Sequence, residues 1–179
     1  MTIETLAQQG RTTLPTTLAQ VNANRLKKMR NAGLRSCFER FDDIRYRKEF
    51  VARIHGKTFI NDASSSNVNA TCFTLESTDG SLIWIANGGD DTANYSSLRP
   101  AALRKVRILY CVGSNNENLH RSFSGIIPTI IDCNTLSEAV NKAFYSPLET
   151  AKVIYSPATD NGLSTRENGE MFRTEVNEL

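Results

Sequence analysis

Residues 56–58, Gly-Lys-Thr, are of the types that end a phosphate-binding loop. Such a loop reads Gly-x-x-x-x-Gly-Lys-Thr, because its backbone N–H groups must wrap around the phosphate. The position of the first glycine is occupied by Val51, and an apolar segment rather than a helix follows Thr58. We therefore interpret Gly56 as part of a hairpin turn and predict no nucleotide site there.

A second set of polar residues follows the apolar runs of the chain. Ligands of open parallel sheets bind beyond the carboxyl ends of the strands, and helix N-termini favour anions. The same residue types also serve as helix caps and turns, so both interpretations stay open for each single loop. Because all of the loops share this composition, a binding face is predicted. The loops are Asn61-Asp62, 87–91, 113–116, 132–134 and 156–158.

Residues for covalent, acid–base or metal chemistry do not form a recognisable pattern. No Ser-His-Asp or Cys-His arrangement is indicated, and the adjacent carboxylates of Asp90 and Asp91 are expected to point apart. The four cysteines form no Cys-x-x-Cys pair, and His55 and His120 are far apart. We predict no catalytic residue, no metal site, no cofactor, and free thiols.

Bulk composition indicates an ordinary globular protein. The chain has 179 residues, of which 40% are hydrophobic and 22% charged, with a net charge of +2. The basic stretches at 25–30 and 45–48 lack an aromatic pattern for base stacking, so no nucleic-acid partner is predicted. No apolar run approaches the ~20 residues that span a bilayer, and the start has no signal-peptide pattern. We predict a cytoplasmic protein that does not interact with membranes.

The elements that must position the polar loops are strands alternating with helices. Two apolar runs at 50–54 and 58–62 predict a hairpin. Continuous apolar runs at 81–89, 106–113, 128–133 and 151–156 predict parallel strands that are covered on both faces. The expected fold is an α/β, Rossmann-like, mostly parallel sheet of about six strands with helices on both faces.

Helix signals delimit the domain. An extension over residues 1–35 with one helix (16–32) precedes a domain over 36–179, which starts with a short helix at 36–44. The segment after Asn67 is expected to be helical. Capping pairs of Ser or Thr with Glu three residues later predict three more helix starts. The pairs are Ser114 with Glu117, Thr135 with Glu138, and Ser164 with Glu167.

The order of these elements and four of their motifs resemble the C-terminal domain of the Mur ligases, most closely that of the D-glutamate-adding members. The segments are residues 49–77, "IWIANGGDD", "ILYCVGSNNENLHRSF" and "YSPA". The resemblance covers about residues 36–179, and residues 17–34 resemble the last helix of the family's central domain. It implies a three-domain ligase in which the central domain holds the ATP loop. The third domain then closes over the site and helps to bind the amino acid and ATP.

Two of the family's motifs are only partly kept. The family's Asp-Ser-Lys-Ala-Thr-Asn corresponds to residues 62–67, with Asp62, Asn67 and the hydroxyl of Ser66 retained and the lysine replaced by Ser64. In Gly-Gly-x-Asp-Lys-Gly, the glycines and the aspartate match Gly88, Gly89 and Asp91. The second lysine is replaced by Thr92.

The remaining motifs show the same trend. Ser156-Pro157-Ala158 match the family, whereas Asn161 stands near the place of its second serine. Asn168 replaces the arginine of Arg-Gly, and Tyr46-Arg47 replaces a His-Arg pair. In the family the lysines and the second serine hold carboxylates or phosphates. Each charge-assisted contact contributes about 1.5–3 kcal/mol, so their loss predicts much weaker anion binding.

The resemblance and these departures predict a standalone, catalytically inactive relative that binds a small amino-acid-like or anionic ligand, or a partner protein. One alternative is an amino-acid-binding subunit or fragment of an ATP-dependent peptidoglycan-precursor ligase, working with a separate ATPase domain. Another is a structural, self-associating subunit. The candidate ligand-binding residues are Asp62, Ser64, Ser66, Asn67, Gly88, Gly89, Asp91, Thr92, Asn115, Ser156 and Asn161.

Overall fold

The computed structural model describes residues 45–179. The predicted extension over 1–35, its helix at 16–32 and the short helix at 36–44 lie outside the described residues. The strands are β1 (Glu49–Ile54), β2 (Lys57–Asn61), β3 (Leu82–Asn87), β4 (Val106–Val112), β5 (Thr129–Cys133) and β6 (Lys152–Tyr155). The α-helices are α1 (Val68–Ser77), α2 (Arg99–Lys105), α3 (Glu117–Phe123), α4 (Leu136–Phe144) and α5 (Thr165–Asn177), and a 3-10 turn (Tyr95–Leu98) precedes α2.

The first two strands form the predicted antiparallel hairpin. His55 and Gly56 have φ angles of 46° and 81°, the left-handed pair that a tight hairpin turn with two central residues requires. Lys57 is buried, and its ammonium group donates to the backbone carbonyls of Phe144 and Ser146 near the end of α4. The Gly-Lys-Thr segment therefore closes a turn and supports a helix end, which confirms the hairpin interpretation.

The six strands form one sheet in the order β1-β2-β6-β3-β4-β5. All neighbouring strands except the β1–β2 pair are parallel. Every residue of the central strand β3 is buried, as expected for a strand with helices on both of its faces. The predicted Rossmann-like, mostly parallel sheet of about six strands is confirmed.

Two apolar cores lie on opposite faces of the sheet. Helices α4 and α5 cover one face, where Val140 and Phe172 pack against the strands. Helices α1, α2 and α3 cover the other face, whose largest buried residue is Trp84. The Trp84 indole contacts Phe123 edge-on and donates to the Ser156 carbonyl at 2.8 Å, which satisfies its buried N–H.

The three predicted capping pairs have different outcomes. Ser164 and Glu167 form the complete capping box at the start of α5. Thr135 caps α4 by accepting from the Glu138 N–H, whereas the Glu138 carboxylate accepts from the N–H of Asn134 instead.

The prediction that Ser114 caps α3 is wrong. That helix begins after Asn116, whose side chain makes no capping bond. The Asn116 amide instead donates to the Gly113 carbonyl at 3.1 Å and to Asp132 at 2.9 Å, and these bonds support the loop that follows β4.

None of the helices in the described part of the chain combines the length and apolar character that crossing a membrane requires.

Candidate binding site at the carboxyl ends of the strands

A cleft of about 420 Å³ opens at the carboxyl ends of β3 and β4. It is lined by Asn87–Gly89, by Val112–Ser114 and by Asp160 and Asn161. The last two follow β6, which pairs with β3. Segments from three parallel strands therefore converge on the edge of the sheet where such folds bind ligands.

Gly88 is required at the cleft because the backbone passes very close to the next loop. A Cβ atom there would lie 2.0 Å from the Asn116 Oδ1 and 2.5 Å from the Asn115 carbonyl oxygen. The N–H of Gly88 donates to Val112 and that of Gly89 to Asn115, both at 2.7 Å. These two N–H groups are occupied by protein acceptors, so they do not provide free donors for an anion.

Asn87 carries an unpaired donor at the end of β3. Asn87 is 4% exposed, and its buried Nδ2 has no hydrogen-bond partner among residues 45–179. The Tyr155 hydroxyl lies 3.4 Å from the Asn87 Oδ1 but 2.9 Å from the Asn168 Oδ1, and its single proton serves the shorter contact. Burial raises the pKa of Tyr155 to about 12, so the phenol is neutral. The Asn87 amide is therefore nearly unsatisfied. Asn87 belongs to the predicted loop 87–91 but was not among the candidate ligand-binding residues, because its residue type does not reveal an unpaired donor.

Asp62 and Ser156, two of the predicted ligand contacts, are fully buried and do not line the cleft. The Asp62 carboxylate accepts from the Lys48 N–H at 3.0 Å and from the Ser156 hydroxyl at 3.1 Å. Ser156 also shares a 2.9 Å hydrogen bond with Thr71 of α1. Burial raises the pKa of Asp62, and the hydrogen bonds to its carboxylate oppose that rise. In this structure the pair ties the loop after β2 to the end of β6.

The rest of the predicted loop after β2 does not line the cleft. The Ser64 Oγ is buried without a partner among the described residues, and the Ser64 N–H donates to the Tyr46 carbonyl at 3.2 Å. Ser66 is exposed. Asn67 caps α1 by accepting from the Ala70 N–H at 3.0 Å, as its position before a helix predicts.

The loop after β3 separates its two carboxylates, as expected for adjacent residues. Asp90 accepts from the hydroxyl and the N–H of Thr92, and these bonds hold the pKa of Asp90 below its usual value. Asp91 accepts from the Asn115 amide at 3.0 Å with both carboxylate oxygens. Asp91 and Thr92 are exposed and Asn115 is half-buried, and none of the three lines the cleft.

Asn161 is joined to the first part of α5. Its amide exchanges two hydrogen bonds with Asn168, at 2.9 and 3.0 Å. The exposed Asp160 next to it accepts from the Gly162 N–H at 2.8 Å and lines the cleft, although it was not among the candidate residues predicted from the sequence. The cleft lining within residues 45–179 contains no Lys or Arg, so Asp160 is its single formal charge. Its electrostatics favour a neutral or cationic group over an anion.

A second group of polar donors lies outside the cleft. The ligand atoms of Cys111, His120 and Asp132 lie within 4.8 Å of one another, a geometry that can hold a metal ion. Sequence spacing did not indicate this group, because its members come from β4, α3 and β5 and meet only when the helix packs on the sheet.

Comparison with known proteins gives a consistent set of relatives. The chain is 30% identical over 177 residues to the UDP-N-acetylmuramoylalanine–D-glutamate ligase of Christiangramia forsetii, covering 97% of this chain and 40% of that protein. It is 32% identical over 176 residues to the ligase of the same name from Porphyromonas gingivalis, covering 97% and 39%. No protein-family model matches the chain. The chain thus spans about 40% of the length of the curated relatives it matches.

One solved structure supports the fold assignment. It is a domain assigned to a UDP-N-acetylmuramate:L-alanyl-gamma-D-glutamyl-diaminopimelate ligase of Haemophilus ducreyi. The two structures superpose with a TM-score of 0.50 at 8% identity, over 73% of this chain and 99% of that domain. At this identity the likeness concerns the fold alone.

Proposed function

The chain belongs to the Mur ligase family, and from that premise we propose that it is a small-molecule-binding domain without ligase activity of its own. Its ligand would be a neutral, amino-acid-like zwitterion bound in the cleft between Asn87 and Asp160. The proposal includes the cytoplasmic location expected from the sequence. The thiols of Cys72, Cys111 and Cys133, which are free in the structure, are consistent with that location.

The unpaired Asn87 amide is the observation that carries this proposal. A buried donor without an acceptor costs about 1–3 kcal/mol, and a ligand oxygen that accepts from it recovers that energy. The carboxylate of an amino acid supplies such an oxygen. Its ammonium group complements the Asp160 carboxylate, which is the single charge of the cleft lining among residues 45–179.

The charge of the cleft also supports the absence of ligase activity. Phosphoryl transfer and acyl phosphate formation concentrate negative charge, which enzymes stabilise with cations and preorganised donors. The family's two motif lysines are replaced by Ser64 and Thr92, and the N–H groups of Gly88 and Gly89 already donate to protein carbonyls. Two lost charge-assisted contacts correspond to roughly 3–6 kcal/mol, or about 10²- to 10⁴-fold weaker anion binding.

Isothermal titration calorimetry of the full chain tests the binding proposal. Glycine and the two enantiomers of alanine serve as neutral zwitterions, and D-glutamate as the anionic comparison. We expect neutral amino acids to bind more tightly than D-glutamate, and Asp160→Asn to weaken their binding by roughly 10-fold. Asn87→Leu removes the unpaired donor and is expected to weaken binding similarly.

The matched control is Asp79→Asn, an exposed aspartate before β3 at the opposite edge of the sheet, which should leave binding unchanged. Tighter binding of D-glutamate than of alanine, or unchanged binding in Asp160→Asn, would overturn the proposal.

A second candidate function is the amino-acid-binding part of a UDP-N-acetylmuramoylalanine–D-glutamate ligase that works with a separate ATPase domain. The observation in its favour is that 97% of the chain aligns with proteins more than twice its length. Phosphate release that depends on D-glutamate is measured in the presence of ATP and UDP-N-acetylmuramoylalanine, after adding the portion of a relative that this chain does not cover. Measurable turnover by the wild-type chain would support this candidate and refute the proposed inactivity. Turnover that appears only in the double variant Ser64→Lys/Thr92→Lys would support the proposal that the chain is inactive because it lacks lysines at these two positions.

A further inference from the structure

Cys111, His120 and Asp132 meet on the face of the sheet that α3 covers. Cys111 and Asp132 are direct neighbours in the parallel pairing of β4 and β5, so their side chains point to the same face. On that face α3 packs through Leu119 and Phe123, in the apolar cluster that contains Cys111. This packing brings His120 over the edge of the sheet.

The donor atoms are held by specific contacts. The His120 Nε2 lies 3.0 Å from the Asp132 Oδ1. The Asn116 amide donates to the same carboxylate oxygen at 2.9 Å and to the Cys111 carbonyl at 3.3 Å. Partners of this kind orient ligands in metal sites and are part of what sets metal affinity.

Burial is graded across the group. Cys111 is fully buried in apolar surroundings, whereas the His120 and Asp132 side chains are 42% and 60% exposed. An ion therefore has an open path to the carboxylate and imidazole, and the sulfur lies at the closed end. A thiolate and an imidazole select borderline-soft ions such as Zn²⁺ over Mg²⁺ or Ca²⁺.

The charges around the site favour a dication. The Asp132 carboxylate is one of the three ligand groups and lies 3.0 Å from the His120 Nε2. Lys142 is the nearby opposing charge, but it pairs with Glu138 at 2.7 Å.

We propose that Cys111, His120 and Asp132 bind a divalent transition metal ion of the Zn²⁺ type, with water in the fourth position. The Cys111 thiol releases its proton to solvent, and the sulfur, the His120 Nε2 lone pair and one Asp132 oxygen bind the ion. One dication, one thiolate and one carboxylate leave the site neutral. The 3.0 Å between nitrogen and oxygen is already close to the roughly 3.3 Å separation of two ligands on a tetrahedral zinc.

Cobalt substitution tests the site in the full chain. Co²⁺ added to the reduced, metal-free protein is expected to bind one equivalent, with a thiolate-to-metal charge-transfer band and the intense visible bands of tetrahedral geometry. Zn²⁺ should displace it, and Mg²⁺ should not. Cys111→Ser should abolish the charge-transfer band, and His120→Gln should lower the Zn²⁺ association constant by more than about 100-fold.

Matched controls are Cys72→Ser and His55→Gln, which should keep full binding and the charge-transfer band. Asn87→Leu should also keep it, which separates this site from the cleft. Unfolding curves in the presence of a chelator show whether each variant is folded. His120→Gln is expected to fold normally because the His120 side chain is partly exposed. A wild-type cobalt complex without a thiolate band, or a band that survives Cys111→Ser, would overturn the proposal.

Discussion

Substitution of Gly88 by alanine is expected to destabilise the protein by a steric mechanism. Gly88 does not have a positive φ, so the backbone itself tolerates a side chain. The added Cβ would lie 2.0 Å from the Asn116 Oδ1 and 2.5 Å from the Asn115 carbonyl oxygen, where ordinary contacts begin at 3.4 Å. The Asn115 carbonyl is backbone and accepts from Gly89, so it cannot easily withdraw.

The magnitude follows from what must move. The Asn116 side chain makes three donor contacts, to two carbonyls and to the Asp132 carboxylate, and its displacement strains all of them. Overpacking costs about 1–3 kcal/mol, and the loss of one net hydrogen bond adds about 1 kcal/mol. A total of about 3 kcal/mol corresponds to a decrease in Tm of roughly 6–12 °C for a chain of this size.

Urea unfolding followed by circular dichroism measures the effect, with equal m-values as the check that only stability changed. The matched control is Gly89→Ala. Gly89 has a φ of +96° and no atom within 4 Å of the added Cβ, so its cost is backbone strain alone, about 1–2 kcal/mol. Gly80→Ala, with a φ of +90° and equally open surroundings, repeats that control at the other end of β3. A Gly88→Ala variant no less stable than Gly89→Ala would refute the steric argument.

Three further predictions concern titration and capping. Burial raises the pKa of Asp62, so its stabilising contribution is full below the unfolded pKa of about 3.9 and is lost as pH rises through the folded value. In urea unfolding of Asp62→Asn, the free energy of unfolding should decline less with rising pH across this window than in the wild type. An equal decline in the two proteins would contradict the raised pKa of Asp62. The Tyr46 hydroxyl donates to Glu170 at 2.7 Å and holds the pKa of Glu170 below its usual value, so Tyr46→Phe should raise that pKa in an NMR titration and move acid unfolding to higher pH. Ser164→Ala removes the hydroxyl of the α5 capping box and should destabilise the protein by about 1 kcal/mol in thermal unfolding, whereas no change would mean that water replaces the cap.

The local elements of the fold were largely predictable. The hairpin at Gly56 follows from two apolar runs joined by a turn whose two central residues adopt the left-handed backbone conformation. The fully buried β3 follows from its unbroken apolar run, and the α5 capping box from the Ser164–Glu167 spacing. Such patterns are readable because they depend on residues close in sequence.

One local prediction failed because a distant contact competed with it. Ser114 has the spacing of a cap, but α3 starts later, and Asn116 bonds to the loop and to Asp132 on the next strand. Asp62 and Ser156 were predicted as ligand contacts from their residue types, and in the structure they hydrogen-bond to each other inside the protein. Residue type alone does not separate groups that line the cleft from groups that hold loops together, so the ligand contacts stay a prediction.

Residue identity and local periodicity were enough to indicate the resemblance to the Mur ligases and to predict the order of the strands and helices. Tertiary structure alone decided which polar atoms lack a partner and which donors meet. The Asn87 Nδ2 lies in the protein interior without an acceptor among residues 45–179, although many polar groups surround it in the sequence. The grouping of Cys111 with His120 and Asp132 results from a helix crossing two strands. Hydrogen-bond competition and packing are set by residues far apart in the chain, so no local pattern encodes them.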